Sequence, residues 1–230
     1  MFRICGAAVL ASLLVACGAP TSRQSIPHGS VVPANPPTRS GVLYRIDPAQ
    51  SELRILVYRA GPMALLGHNH VVVNRALGGW VRYAGVLSAA SFSVIVPAAG
   101  FVVDEARMRR EEGADFAEDI AEDATSATLR NMLSAAVLDV AQYPAITVRS
   151  VAVTGTDAAL EATLAVTVAG HESTLVVPAV VDSAPGRLTV SGAFTVRQSA
   201  IGLAPFSVLM GALRVQDDMR VKFKFVAVAT

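Results

Sequence analysis

The sequence predicts an all-β fold with one attached helix. Three observations carry the prediction. Short runs rich in Val, Thr and Phe recur roughly every ten residues from residue 43 onward. Turn signals such as "TGTD", "AGHE" and "SAPGR" separate these runs. A single stretch with helical periodicity interrupts them in the middle of the chain.

The elements follow in order. Arg3 and the apolar run "ICGAAVLASLLVA" have the form of a signal peptide over residues 1–16. The run ends in "LVAC" (Leu14 to Cys17), which resembles the lipobox of bacterial lipoproteins. That resemblance implies cleavage before Cys17 and a lipid anchor on its sulfur, and two or more acyl chains suffice for stable membrane attachment. The alternatives are an ordinary secretory peptide cut near Ala16 or Ala19, or an uncleaved anchor. Residues 17–42 then read as the lipidated cysteine and a disordered tether. The part from Gly18 to Gly41 holds five of the twelve prolines, lacks apolar periodicity and includes a solvated His28.

The domain spans residues 43–230. In "SELRILVY", Leu53, Ile55 and Val57 share one face while Glu52 and Arg54 share the other, the pattern of a strand with one buried side. "HVVVNR", "GWVRYAG" and "SFSVIVPA" follow as strands; in the last, Val94 and Val96 are the inward candidates and Ile95 disturbs the alternation. A helix is expected near residues 115–138, because Leu129, Met132, Leu133, Ala136, Val137 and Val140 recur at helical spacing. Asp115, Glu118, Asp119, Glu122 and Asp123 gather at its N-terminal end, where the helix dipole favours anions; they have no calcium-loop spacing. Five more strand runs complete the chain, from "AITVRSVAVTG" to "MRVKFKFVAVA". Eight or nine such strands make an antiparallel barrel or sandwich.

Composition narrows the function. The 230 residues are 53% hydrophobic and 16% charged, with a formal net charge of +1 and a mean hydropathy of +0.49. Soluble domains usually carry about 25% charged residues. The surplus of apolar residues therefore points to membrane attachment or to unusual enclosed apolar surface. No basic run is present, which argues against a nucleic-acid partner. The two cysteines, Cys5 and Cys17, both precede the domain, so disulfides and thiol chemistry are excluded from it.

Four segments, in order, resemble the YceI-like family of exported lipid- and polyisoprenoid-binding proteins. They are "YRIDPAQSELRILVYR" (Tyr44 to Arg59), "NMLSAAVLDVAQYPAITVRS" (Asn131 to Ser150), "ALEATLAVTVAGHESTLVVPAVV" and "GAFTVRQSAIGLAPFS". The resemblance implies an extended antiparallel, lipocalin-like β-barrel with a helix attached and an apolar internal cavity. An eight-stranded barrel is wide enough to hold one small ligand. The ligand implied is an amphiphilic lipid, a polyisoprenoid or fatty-acid-like chain, with no other cofactor. Leu53, Ile55, Val57, Val94 and Val96 are the cavity-lining candidates. The chain departs from the family at Arg59, where many members have histidine, and in the long acidic segment "DEARMRREEGADFAEDIAEDATSATL". These departures mark a divergent branch.

The chemistry left over is sparse. No Gly-x-Ser-x-Gly elbow and no phosphate-binding glycine pattern occurs. His68 and His70 in "LLGHNHVVV" point the same way on a strand and are candidates for polar contacts at a cavity mouth. They could also begin a metal site, but two ligands do not close one; His171 is the one further histidine of the domain. Two readings follow: a non-enzymatic carrier, tethered to a membrane and facing the periplasm, or a metal-binding protein acting through His68 and His70 as an enzyme or redox partner. Gly18, rather than Asp, after Cys17 favours the outer over the inner membrane.

Overall fold

The computed structural model describes residues 41–230. The signal peptide, Cys17, His28 and nearly all of the tether lie outside the described residues. Twelve strands are formed among those described. They are β1 (Val42–Ile46), β2 (Glu52–Ala60), β3 (His70–Asn74), β4 (Gly78–Tyr83), β5 (Ser91–Pro97), β6 (Phe101–Val103), β7 (Ala145–Thr156), β8 (Ala159–Val168), β9 (His171–Ala184), β10 (Arg187–Arg197), β11 (Ser207–Val208) and β12 (Leu213–Ala229). All pairings are antiparallel. The ring β1–β4–β5–β7–β8–β9–β10–β12 closes where Tyr44 to Ile46 of β1 pair with Ala227 to Ala229 of β12. This is a closed eight-stranded barrel. β2, β3 and β6 prolong its wall: β12 pairs with β2 over Arg214 to Lys224, β2 with β3, and β3 with β6.

Alternation along each strand builds the lumen. On β8, Leu160, Ala162, Leu164, Val166 and Val168 point inward, whereas Glu161 is exposed. On β10 and β12 the inward residues include Phe194, Phe223 and Phe225, and the last two rings stack at 5.3 Å. Gly192 keeps this arrangement possible, because a Cβ there would meet the Phe223 ring at 2.7 Å. β7 changes parity. A register shift between Ser150 and Ala152 leaves Val151 exposed and turns Val153 inward.

The segment between β6 and β7 corrects the expected helix at 115–138. Two helices form instead, α1 (Ala106–Glu111) and α2 (Glu122–Leu133), with a 3-10 turn at Ala114–Phe116. α2 stops at Leu133. The Ser134 hydroxyl donates to the Asn131 carbonyl at 2.7 Å, and the Ala136 amide donates to that hydroxyl, so local side-chain bonds replace the next helical turn. Val137 and Val140 still pack on the core, which is why their spacing imitates a longer helix.

α1 and the 3-10 turn cover the outer face of β2 and β3. Met108 and Phe116 bury Leu56, Val71 and Val73 there, while Val72 faces the lumen side. The run "VVV" is therefore buried on both faces. Ion pairs fasten this cover. Arg54 on β2 reaches Glu52, Glu111 and Glu112, and Glu112 also accepts from Lys222 of β12.

Burial raises the Glu112 carboxyl, but its bonds from Lys222 and Arg54 outweigh this and hold it below the usual glutamate value of 4.5. A carboxyl depressed in the folded state stabilises it fully above the unfolded value, and the contribution is lost as pH falls through the folded one. Thermal unfolding followed against pH should show Glu112→Gln to be less stable than the parent at neutral pH. The difference should shrink below pH 4.5, and a gap constant with pH would contradict the assignment.

Candidate functional site

Among the described residues, two apolar chambers adjoin inside the barrel and its extended wall. The first, of about 230 Å³, is lined by inward residues of β1, β2, β4, β5, β7, β8, β9, β10 and β12 together with Leu87, Ala90 and Ile201; Tyr83 supplies the one polar side chain among them. The second, of about 260 Å³, adjoins it along the shared wall residues Ile55, Ile146, Val168, Ile201 and Met219. Together they reach the range of about 300–1,000 Å³ typical of ligand pockets. A void in a protein core costs on the order of 24 cal/mol per Å³. By that scale the first chamber alone costs roughly 5 kcal/mol if left empty.

The candidate lining residues fall on these walls. Leu53, Ile55, Val94 and Val96 face the first chamber, and Ile55 and Val57 face the second. Ile95 is buried but faces neither chamber, so the alternation of β5 holds through it. The polar wall residues gather in the second chamber. They are Arg59 of β2, His68 and His70 before and on β3, Thr128 and Asn131 of α2, Gln198 after β10, and Arg214 of β12.

Each imidazole has its own carboxylate. His70 Nδ1 lies 2.6 Å from Asp104 Oδ2, and the Asp104 side chain is wholly buried. Asp104 Oδ1 accepts from the Val71 amide at 2.9 Å and from Arg109 Nη1 at 2.6 Å. Burial pushes the Asp104 carboxyl up, but the contacts from His70, the Val71 amide and Arg109 prevail and hold it below the ordinary aspartate range. An ionised carboxylate only accepts, so His70 Nδ1 donates and Nε2 remains for a ligand. Arg109 is itself anchored by the carbonyls of Asn69 and Glu118. His68 Nδ1 lies 3.2 Å from Glu118 Oε2 near the surface.

This geometry corrects the alternative metal set. His171 starts β9 and packs against Gly202, and it lines neither chamber. Among the described residues no group of three or more His, Cys, Asp or Glu side chains could hold a metal ion. Among the described residues each imidazole bonds to a carboxylate rather than to a serine or threonine hydroxyl, and that carboxylate fixes the orientation of the ring. Sequence reasoning missed Asp104, Arg109 and Arg214. The first two sit in the segment read as an acidic insertion. Arg214 lies at the start of a strand placed several residues too late.

Known structures share this architecture. A crystal structure of Burkholderia cenocepacia BcnA superposes with a TM-score of 0.59 at 16% identity, covering 79% of this chain and 98% of that one. A polyisoprenoid binding domain from Saccharophagus degradans, implicated in plant cell wall breakdown, gives 0.56 at 13% identity, covering 82% and 99%. No curated protein matches the sequence. The model of the YceI-like domain matches residues 44–227, which span the closed barrel, both chambers and the helical cover. The chain belongs to the YceI-like domain family.

Proposed function

We propose that the protein is a non-enzymatic carrier that holds one amphiphilic lipid, a polyisoprenoid or fatty-acid-like chain, inside the barrel. The tail lies in the first chamber and the polar head in the second. One observation carries the reading: two adjoining apolar chambers whose polar wall residues, Tyr83 apart, all belong to the second. Each methylene of the tail removed from water contributes about 0.8 kcal/mol. Arg59 and Arg214 form no ion pair among the described residues, so they suit an anionic or strongly polar head. The similar polyisoprenoid binding domain supports the ligand class. The lipobox "LVAC" supports an acyl anchor on Cys17, with the barrel facing the periplasm from the outer membrane.

Titration with a fluorescent fatty acid and with a neutral prenol tests the reading. Both should bind saturably, at one site. Arg59→Ala with Arg214→Ala should weaken the fatty acid about tenfold, the loss of one charge-assisted contact, and the prenol far less. Absence of saturable binding by either probe would contradict the carrier. Metabolic acyl labelling should be lost in Cys17→Ser; label retained in that variant would contradict the anchor.

A further inference from the structure

We propose that two adjacent apolar loops at the rim of the second chamber dock the barrel onto a bilayer that contains anionic phospholipid. The first loop joins β2 to β3 and carries Met63, Leu65 and Leu66. The second follows β11 and carries Leu209 and Met210 beside Val208. Leu65 is 86% exposed, Leu66 66% and Met210 fully exposed at 106%. The other exposed large apolar residues lie elsewhere, among them Val102 on β6, Val151 on β7, and Val176 and Val180 on β9.

The loops are built to sit together. The Met63 amide donates to the Ala212 carbonyl at 2.9 Å. Gly61 makes that approach possible: its φ is +94°, and a Cβ there would run into the same carbonyl. Leu209 and Met210 both hold left-handed backbone, with φ of 52° and 54°. Bulky residues adopt that conformation only where their surroundings impose it. Here it accompanies two side chains that face solvent rather than the core. Both side chains are more exposed than covered, Leu209 at 58% and Met210 at 106%.

Position and charge select the occupant. Gly67, Val208 and Leu213, which border the loops, also line the second chamber. The docked surface is therefore continuous with the chamber's mouth. Arg59 and Arg214 lie on the two strands that carry the loops, where Val215 pairs with Arg59 and Arg214 with Ala60. Glu118, from the segment between α1 and α2, is engaged by His68, which lines the chamber. Apolar side chains that enter the interface, with cations behind them at headgroup level, are the arrangement by which peripheral proteins bind anionic bilayers. Among the described residues no helix is long and apolar enough to cross a membrane. Docking gives the carrier reading a route for lipid entry, while resting itself on the loops and their charges.

The test uses the full chain with Cys5→Ser and Cys17→Ser, so that no acyl anchor forms and introduced thiols are unique. An environment-sensitive fluorophore is attached through Leu65→Cys, Met210→Cys or, as a control in the β9–β10 turn, Gly186→Cys. On vesicles of phosphatidylethanolamine and phosphatidylglycerol, the labels at 65 and 210 should shift to the blue and be quenched by brominated acyl chains several-fold more than the label at 186. Phosphatidylcholine vesicles and high salt should weaken the effect. Leu66→Asp with Leu209→Asp should reduce it at least about tenfold. The same variant should still take up the fluorescent fatty acid from solution, which separates loss of docking from loss of the carrier function. Equal quenching at all three positions would overturn the proposal. So would a blue shift at 210 that appears without vesicles and grows with protein concentration, which would mean a second copy covers the loops.

Discussion

Asp104→Ala should destabilise the domain by about 3–5 kcal/mol, the cost of removing one partner from a buried ion pair. The carboxylate is completely buried and its partner Arg109 is nearly so, at 5%. Its removal leaves three donors without their acceptor: the Arg109 guanidinium, the His70 Nδ1–H and the Val71 amide. The Arg109 cation cannot shed its proton, so it must be solvated by local opening. That opening falls on the cover of β2 and β3, where Arg109 Nε and Nη1 tie the Glu118 and Asn69 carbonyls. Total stabilities run at about 5–15 kcal/mol, so the loss is a third or more of the whole for many domains. Urea unfolding should show a lower midpoint with little change in slope. Arg109→Met in the Asp104→Ala background should recover part of the loss, because the stranded cation is then gone while the His70 Nδ1–H and the Val71 amide still lack their acceptor. A loss below about 1 kcal/mol in Asp104→Ala, within the range of a surface pair, would contradict this account of the array.

Ala162→Phe should abolish uptake of a lipid chain while leaving the fold intact. Ala162 lies midway along β8, faces the first chamber and is nearly inaccessible from outside. Its small side chain leaves room in the lumen beside Leu160 and Leu164. A phenyl ring placed there occupies space that an empty barrel would otherwise keep as void, so stability should hold or rise. A chain of a carrier's ligand cannot share that volume. Binding of the fluorescent fatty acid should fall at least about tenfold, the equivalent of losing two methylene contacts. Glu161→Phe, one residue away on the outer face, is the control and should bind normally. Undiminished binding in Ala162→Phe would place the ligand outside the first chamber.

The barrel wall was legible because a strand alternates with period two. Leu53, Ile55 and Val57, and Val94 and Val96, could be placed on one face from spacing alone. Ile95 disturbed the pattern because it is buried on the outer side of the wall, and polarity by itself cannot distinguish the two faces of a covered strand. The triple valine at 71–73 shows no alternation for the same reason, since α1 and Phe116 cover it from outside. Parity on β7 could not be read through its bulge, where one extra residue exchanges the faces. The spacing overextends the helix, because Val137 and Val140 reach the core from a turn as they would from a helix. His68 and His70 are legible in the sequence as a pair at a mouth, whereas their carboxylates are not. Asp104 and Glu118 lie 34 and 50 residues away from them in sequence. A pairing over that separation exists only once β3 and the helical segment have packed together.

The central claim is that the barrel is a container and that its cargo is a lipid. Mass spectrometry of an organic-solvent extract of the purified protein tests this most directly. The account predicts one class of long-chain amphiphile, near one molecule per chain, present in the parent and absent from Ala162→Phe. An extract without lipid, from protein that also fails to take up either fluorescent fatty acid or prenol, would contradict it.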